Sequence, residues 1–499
     1  MSQETLIRCE GLRFAWRVEP ILDGLTWHWQ AGQHWAVLGG NGSGKSTLAA
    51  LLLDRIRPNA GSIQRHPELS DDRIELVAFE EHATLMARDQ RLDDSETRED
   101  AFDAGTLVID YLRSAFIRAK HRYQDEAEFE QQLHALIAHW QLQPLLKQGL
   151  RYISTGQSRR VLMVHALLCR PRLLILDNPG DGLDQASQER LNDDISQLCH
   201  DNGPALLLLV KQRREIPAGI THLLQLEQGR AQFQGPIEQA SRGQTSTTAC
   251  KPIPVYSADQ LAQTSTETLV EINGADVRFR DKAILTDVNW RLESGQHTVI
   301  SGPNGAGKTT LLNLLYGAND KAWAQPVSLF GKPRGSGESL ADIRAHFGWV
   351  NTQQQLTHMN RTPCLEVLCS GFEDTLGGSA QINDRHQIVA RQWLNWLDMT
   401  QLANTHFSRL SFGQQRLLLI VRAAIKQPQI LVLDEPYLGL DDKHRDQAMT
   451  LVDALIDVGH STVLFVSHHP EDWPGGLKQQ LALEPHPAGG YTARSKDLS

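Results

Sequence analysis

Short apolar runs alternate with polar and helical stretches along both halves of the chain. Eight of these runs predict strands, most of them buried on both faces, at residues 35–38, 77–79, 173–176, 205–210, 298–300, 349–350, 430–433 and 462–466. Apolar positions between the runs recur at helical spacing. Strands that alternate with helices indicate an α/β fold built on a mainly parallel sheet.

Two segments of the chain occur twice in the same order. One is a glycine-rich loop, read as Gly39-Gly40-Asn41-Gly42-Ser43-Gly44-Lys45-Ser46-Thr47 and again as Gly302-Pro303-Asn304-Gly305-Ala306-Gly307-Lys308-Thr309-Thr310. The other is an apolar run that ends in aspartate, at Asp177 and again at Asp434. We therefore predict two similar domains, 1–239 and 269–499. They are joined by a linker over 240–268 that has neither helical nor strand periodicity.

Composition excludes several classes of protein. The net charge is −10, with 49 Lys and Arg against 59 Asp and Glu, which makes nucleic acid an unexpected partner. The six cysteines form no Cys-x-x-Cys pair, so a zinc ribbon and a disulfide framework are not expected. Apolar runs of about six residues are far shorter than the roughly 20 that a membrane span needs. We expect a cytoplasmic protein, and attachment at the inner face of the plasma membrane would require a partner.

The glycine-rich loops carry the chemistry of phosphate binding. Glycines allow successive backbone N–H groups to point at phosphate oxygens, and the following helix adds the positive end of its dipole. Lys45 and Lys308 are predicted to reach the β and γ phosphates, while the hydroxyls of Ser46 and Thr309 are predicted to bind Mg²⁺. Each loop follows an apolar strand and precedes a helix, expected to begin at Leu48 or at Leu311. Two such loops indicate a nucleoside triphosphate-binding protein.

The repeated aspartates complete the predicted sites, but the residues that follow them differ. Asp177 and Asp434 are predicted to hold Mg²⁺ through water at the end of a buried strand. Glu435 follows the second aspartate and is a candidate general base for the attacking water. Asn178 stands in the same place in the first half, and an amide cannot accept a proton at neutral pH.

A further repeated motif lies 20 positions before each aspartate. The first copy contains Ser154, Gly156 and Gln157, the second contains Ser411, Gly413 and Gln414, and a helical pattern follows each. In this order and at this distance the motif resembles the signature of ATP-binding cassette (ABC) proteins, whose serine and backbone amides bind the γ-phosphate in trans. The resemblance covers nearly the whole chain and implies two tandem P-loop NTPase domains, an ATPase activity, and ATP and Mg²⁺ as cofactors.

The resemblance also implies roles for several other positions. His468 matches the switch histidine that contacts the γ-phosphate, and Gln212 occupies the equivalent place in the first half. Trp16 and Phe279 match the aromatic residue that stacks on adenine. Loops 182–184 and 439–441 match the segment through which two cassettes touch. For the glutamine that contacts Mg²⁺ the sequence offers Glu80 in the first half and Thr352 or Gln353 in the second, so no residue is assigned to that role.

ABC cassettes pack head to tail, so each ATP lies between one phosphate loop and the opposite signature. The resemblance thus predicts a first site with Lys45, Ser46, Asp177, Asn178 and Gln212 facing Ser411 and Gly413. The second site would combine Lys308, Thr309, Asp434, Glu435 and His468 with Ser154 and Gly156. Only the second site has both a base and a switch histidine. We therefore expect hydrolysis mainly at the second site and ATP retention at the first.

More narrowly, the chain is similar to the ModF type of tandem ABC protein, a family also called photorepair protein and linked by name to molybdate transport operons. This similarity rests on stretches at 331–338 and 370–374 of the second half, and it implies a membrane transport component on a separate chain as partner. The alternative is an ABC protein that acts on the ribosome or another ribonucleoprotein. Proteins of that class carry a strongly charged helical linker, whereas residues 240–268 contain few basic residues. A DNA-repair or chromosome-maintenance role would need zinc insertions or a long coiled coil, and the sequence has neither.

Overall fold

The structure of the chain is a computed structural model. It describes residues 4–16, 19–69, 73–78, 105–200, 203–240, 252–254, 267–279, 282–317, 325–350, 361–373 and 383–498. The chain divides into two compact units, Met1–Gly243 and Gln244–Ser499. The predicted linker lies mostly outside the described residues, so its bounds at 240 and 268 stay a prediction.

The first unit contains nine strands and five α-helices among its described residues. The strands are β1 (Thr5–Trp16), β2 (Glu19–Gln30), β3 (Trp35–Leu38), β4 (Ala60–Arg65), β5 (Ile74–Ala78), β6 (Leu173–Asp177), β7 (Ala205–Val210), β8 (His222–Glu227) and β9 (Arg230–Pro236). The helices are α1 (Lys45–Leu52), α2 (Val108–Ala119), α3 (Glu126–His139), α4 (Thr155–Leu168) and α5 (Gln185–His200). A six-stranded sheet has the order β5-β6-β7-β3-β8-β9, parallel except for β9, and a small antiparallel sheet has the order β2-β1-β4.

The second unit repeats this plan with one continuous sheet. Its strands are β10 (Thr268–Phe279), β11 (Lys282–Glu293), β12 (Thr298–Ser301), β13 (Val327–Leu329), β14 (Lys332–Pro333), β15 (Phe347–Val350), β16 (Ile430–Asp434), β17 (Thr462–Val466), β18 (Gln479–Pro485) and β19 (Tyr491–Asp497). Its helices are α6 (Lys308–Tyr316), α7 (Leu340–Ala345), α8 (Cys364–Cys369), α9 (Asp384–Trp396), α10 (Phe412–Ala424) and α11 (Asp442–Val458). The parallel segment β15-β16-β17-β12-β18 matches β5-β6-β7-β3-β8 of the first unit.

The parallel strands are buried because apolar layers cover both of their faces. Along β7, Leu206 and Leu208 pack into the cluster that includes α2, α3 and α4, whereas Leu207 and Leu209 pack toward β1, β2 and α1. Successive side chains of a strand point to opposite faces, so a continuous apolar run is what a covered strand requires. Each fully buried leucine contributes about 1.5–3 kcal/mol. The α/β fold with a mainly parallel sheet is therefore confirmed.

The predicted strands agree with the structure wherever it describes them (Phe79, the end of the predicted strand 77–79, lies outside the described residues), but the predicted starts of two helices were wrong. The helices after the glycine-rich loops begin at Lys45 and Lys308, three residues before Leu48 and Leu311. Gly44 (φ 100°) and Gly307 (φ 94°) cap them in the left-handed region, which lets the first helical turn start directly after the loop. The lysines thus belong to the first helical turn.

Candidate nucleotide-binding sites

The glycine-rich loop of the first unit lies between the carboxyl end of β3 and the start of α1. A Cβ added at Gly44 would lie 2.7 Å from the Leu22 side chain and 2.9 Å from the Ile21 carbonyl oxygen, so only glycine fits there. The Nζ of Lys45 donates hydrogen bonds to the carbonyl oxygens of Gly39 (2.6 Å) and Gly40 (2.9 Å). The lysine therefore lies inside the curve of the loop, where the sequence predicts phosphate.

The loop of the second unit has the same geometry. Gly307 again precedes the helix, and the Nζ of Lys308 donates to the carbonyl oxygens of Gly302 (2.8 Å) and Pro303 (3.1 Å). Gly305 has a φ of 82°, as Gly42 has a φ of 80°. Both units therefore present a folded phosphate loop with its lysine in place.

In the first unit the loop lines a cavity of about 790 Å³. Its lining contains residues 41–47 of the loop together with Asp177 and Asn178, as the sequence predicts, and also Ile21, Ala78, Asp181 and Lys211. The Ser46 hydroxyl donates to Asp177 Oδ2 at 3.0 Å. The fold therefore brings the predicted Mg²⁺ ligands of the first site within contact of each other.

Asn178 and Glu435 occupy equivalent backbone positions with different side chains. Their φ angles are 47° and 46°, and their N–H groups donate to the carbonyls of Leu209 (2.9 Å) and Val466 (3.0 Å). The Asn178 amide donates to Asp177 Oδ1 at 2.7 Å. The two sites thus differ here in chemistry and not in backbone shape.

Electrostatics in the second unit centre on two adjacent carboxylates and a histidine. Burial, followed by the charge of Glu435, raises the pKa of Asp434 to about 6. Burial is the largest influence on Glu435 and acts to raise its pKa, but the hydrogen bond and charge of His468 together with the charges of Lys308 and His469 hold the net pKa below its usual value. The Nδ1 of His468 lies 3.2 Å from Glu435 Oε1. Glu435 is therefore ionised at neutral pH and lies next to the predicted switch residue.

The segment after β7 departs from the expectation for Gln212. Its side chain is buried, and its Oε1 accepts a hydrogen bond from Arg214 Nε at 2.6 Å, within the cap of the short 3₁₀ helix Arg213–Glu215. Lys211 lines the cavity instead, and the Lys211 Nζ lies 2.5 Å from Asp181 Oδ2. Gln212 matches the switch position along the chain, but the neighbouring residue is the one on the cavity wall.

The signature motifs form helix caps within their own units. The Ser154 hydroxyl accepts from the Gln157 N–H at 3.3 Å and Gln157 Oε1 accepts from the Ser154 N–H at 2.8 Å, and Ser411 and Gln414 make the same pair of bonds at 3.2 and 3.0 Å. This reciprocal arrangement is a capping box. The motif therefore has a local structural role, and its contact with a γ-phosphate stays a prediction.

Sequence reasoning missed a pair of buried arginines, each two positions after a signature glutamine. Arg416 donates to the carbonyls of Pro436 (2.9 Å), Asp434 (3.3 Å) and Glu435. Arg159 donates to the carbonyls of Asn178 (3.3 Å) and Asp181. Burial lowers the pKa of both guanidinium groups to about 10, so they stay charged at neutral pH. Their repetition at the same offset in both halves was the available sequence signal.

The two residues predicted to stack on adenine are exposed at strand ends. Trp16 and Phe279 end β1 and β10 with 65% and 49% of their surface exposed, and Trp16 does not line the cavity of the first unit. Gly413 lies against the His444 ring, where an added Cβ would come within 2.2 Å of the ring. His444 Nδ1 lies 2.8 Å from Asp441 Oδ1. Glu80, Thr352 and Gln353, the candidates for the Mg²⁺-contacting glutamine, lie outside the described residues.

Comparison with known proteins defines the class of protein. The ABC transporter family model matches residues 22–181 and 285–438, and the chain belongs to this family. The tandem P-loop fold and the ATPase class predicted from the sequence are thereby confirmed. Among the residues that the structure describes, no helix is long and apolar enough to cross a bilayer.

The resemblance to the ModF type is also confirmed. The chain is 34% identical over 466 residues to the ABC transporter ATP-binding protein ModF of Escherichia coli, covering 91% of this chain and 92% of that protein. An uncharacterized ABC transporter ATP-binding protein of Schizosaccharomyces pombe is 26% identical, over 93% and 95% of the two chains. The solved structure of RNase-L Inhibitor superposes with a TM-score of 0.58 at 17% identity, over 97% and 89% of the chains. That likeness shows the fold alone, and the expectation that nucleic acid is not a partner stays a prediction.

Proposed function

We propose that this ABC ATPase binds two Mg-ATP molecules where its two cassettes meet, hydrolyses ATP mainly in the second cassette and retains ATP in the first. One observation carries the proposal. Glu435 and Asn178 have nearly the same φ angle, but Glu435 is a carboxylate with the His468 imidazole 3.2 Å away, whereas Asn178 is an amide that donates to Asp177.

In the second cassette, the ionised Glu435 accepts the proton of the attacking water, and Lys308 supplies positive charge to the β and γ phosphates. His468 holds the Glu435 carboxylate in one orientation and lies beside the terminal phosphate. We propose that Ser154 and Gly156 of the first cassette complete this site, as the sequence predicts.

The residues present fit a magnesium ion. Asp434 is a partly buried carboxylate whose pKa is raised to about 6 by burial and by the charge of Glu435, and a nearby divalent cation would favour its ionised form. In the first cassette, Ser46 and Asp177 lie 3.0 Å apart and present the hydroxyl and carboxylate oxygens that Mg²⁺ prefers. Thr309 and Asp434 would hold the ion in the second cassette. When bound, Mg²⁺ neutralises charge on the β and γ phosphates.

In the first cassette the Asn178 amide donates to Asp177 and has no basic atom that could take a proton from water. Lys45 and Ser46 remain in place to bind the nucleotide. The first cassette is therefore suited to holding ATP without turning it over.

Nucleotide occupancy during turnover tests this division. Purified protein is mixed with radiolabelled Mg-ATP, separated rapidly from free nucleotide, and the bound ATP and ADP are counted. We expect one slowly exchanging ATP per chain beside nucleotide that cycles to ADP. Complete conversion of both bound molecules to ADP would contradict the proposal.

For the cellular role, we propose that the ATPase serves a membrane transport component on a separate chain. Support comes from the similarity over most of its length to a protein named as an ABC transporter ATP-binding protein. A Glu435→Gln variant, held in its ATP-bound state, is used to capture partners from detergent-solubilised membranes, with Lys308→Ala as the matched control. Recovery of a membrane protein with the first variant and not with the control supports the role. Recovery of ribosomal subunits that survive high salt would instead favour the ribonucleoprotein alternative.

A further inference from the structure

The phosphate cavity of the first unit contains an ion pair that no motif predicts. Lys211 and Asp181 both line this cavity, and Lys211 Nζ lies 2.5 Å from Asp181 Oδ2. The Lys211 side chain is 14% exposed and that of Asp181 35%. At the equivalent positions along the chain the second unit has Ser467 and Leu438, neither of which carries a charge. The pair is therefore a property of the first cassette.

The local fold explains why the lysine faces the cavity. The Glu215 carboxylate accepts from the backbone N–H groups of Lys211 (3.0 Å) and Gln212 (3.2 Å), which fixes the turn after β7. Gln212 turns into the 3₁₀ cap, where Arg214 donates to it. Neighbouring side chains of extended backbone point in opposite directions, so the withdrawal of Gln212 leaves Lys211 on the cavity side.

We propose that Lys211 is a nucleotide-binding residue of the first cassette. When ATP binds, the Lys211 ammonium breaks its ion pair with Asp181 and contacts the terminal phosphate instead. The inference rests on the proposed retention of ATP in this cassette. An ammonium is a compact point charge that pairs well with phosphate. Lys45, which also lines the cavity, serves the loop end of the triphosphate. A lysine after β7 would then discriminate ATP from ADP, because ADP lacks the phosphate that reaches it.

If Lys211 leaves Asp181 for the phosphate, substitutions of the two residues should have opposite effects on ATP affinity. Removing Lys211 removes the contact with the terminal phosphate, whereas neutralising Asp181 removes the anion that competes with ATP for the same ammonium. A purely structural ion pair would behave differently, because either change would then weaken binding of ATP and ADP alike through the same local distortion.

The test measures Mg-ATP and Mg-ADP affinity by isothermal titration in a Lys308→Ala parent, in which binding reports the first cassette. We expect Lys211→Gln to weaken Mg-ATP binding about tenfold to a hundredfold and to leave Mg-ADP within about twofold. Lys211→Arg should keep most of the ATP preference, and Asp181→Asn should strengthen Mg-ATP binding a few fold. Lys147→Gln, an exposed lysine outside the cavity lining, is the charge-matched control and should change neither affinity.

Three results would overturn the proposal. Equal losses of ATP and ADP affinity in Lys211→Gln would make the pair structural. A lost ATP preference in Gln212→Ala instead of Lys211→Gln would return the phosphate contact to the position expected from the motif. Failure of the Lys308→Ala parent to bind either nucleotide would refute ATP retention by the first cassette itself, and this outcome differs from the other two, in which ATP still binds.

Discussion

Replacing Glu435 with glutamine removes the proposed proton acceptor of the second cassette with almost no change of shape. A positioned general base contributes about 10²–10⁴-fold in rate, which corresponds to roughly 2.7–5.4 kcal/mol of activation free energy. Although burial opposes ionisation, His468, Lys308 and His469 together keep the pKa of Glu435 below its usual value, so the native carboxylate is ionised near neutral pH. We therefore expect kcat to fall by at least about a hundredfold in Glu435→Gln.

Asn178→Ala is the matched change in the first cassette. Both residues have the same left-handed φ and the same type of backbone hydrogen bond to the neighbouring strand. The alanine variant loses the hydrogen bond of the amide to Asp177 Oδ1 but no proton acceptor. We expect its maximal rate to lie within a few fold of the native value.

Steady-state phosphate release across ATP concentrations measures both variants, with direct nucleotide binding to confirm that Glu435→Gln still holds ATP. Lys45→Ala adds a third case, because weaker ATP binding in the first cassette should be overcome at saturating ATP. The same saturation should restore nothing to Glu435→Gln. Comparable losses of kcat in Asn178→Ala and Glu435→Gln would refute the reasoning, since both cassettes would then be catalysing hydrolysis.

Three further predictions concern binding, stability and pH. Phe279→Ala should weaken ATP affinity by about 1–3 kcal/mol if its exposed ring stacks on adenine, and an unchanged Kd in fluorescence titration would remove it from the site. Arg416→Met should lower the free energy of unfolding of its unit by at least about 2 kcal/mol and reduce kcat, because backbone carbonyls at the end of β16 lose their hydrogen-bond donor. A urea denaturation curve that matches that of the native protein would contradict this. His297 Nδ1 accepts a hydrogen bond from the Val463 N–H at 3.1 Å, and burial lowers the pKa of His297 to about 4. The free energy of unfolding should therefore decline as the pH falls from about 6.5 toward 4, by at most about 3 kcal/mol. In this pH range the unfolded chain binds a proton at His297 and the folded chain does not. A His297→Asn variant should therefore lack this part of the decline, and parallel profiles of unfolding free energy against pH for variant and native protein would show the idea to be wrong.

The sequence predicts the elements that repeat and the motifs whose backbone geometry is local. Loop glycines, buried strands and the aspartate at a strand end depend on nearby residues, so their positions were available from the pattern alone. The starts of α1 and α6 were misplaced because the apolar pattern begins one turn later than the helix. The capping role of Ser154 was missed because a phosphate-binding motif and a capping box use the same residue types.

The exchange between Lys211 and Gln212 lay beyond sequence reasoning for a different reason. Alignment of the two halves assigns equivalence by position, whereas the direction of a side chain after a strand depends on the turn that follows. Here Glu215 binds the backbone of that turn and Arg214 binds its glutamine, and these local contacts exist only once the 3₁₀ cap has formed. The buried Arg416 was missed because its partners are backbone carbonyls about 20 residues away, which carry no residue signature.

The contact between Gly413 and His444 has a practical consequence for dissecting this protein. Any side chain at position 413 would collide with the imidazole, which in turn adjoins the Asp441 carboxylate at the start of α11. A substitution at position 413 would therefore disturb both the signature motif and the His444–Asp441 contact. Gly156 is the cleaner probe, because an added Cβ there meets the small Ser187 hydroxyl at 3.3 Å and no ring. The same substitution therefore disturbs more of the structure at position 413 than at position 156. A larger loss of activity at position 413 would reflect this steric clash and not a greater importance of the second signature.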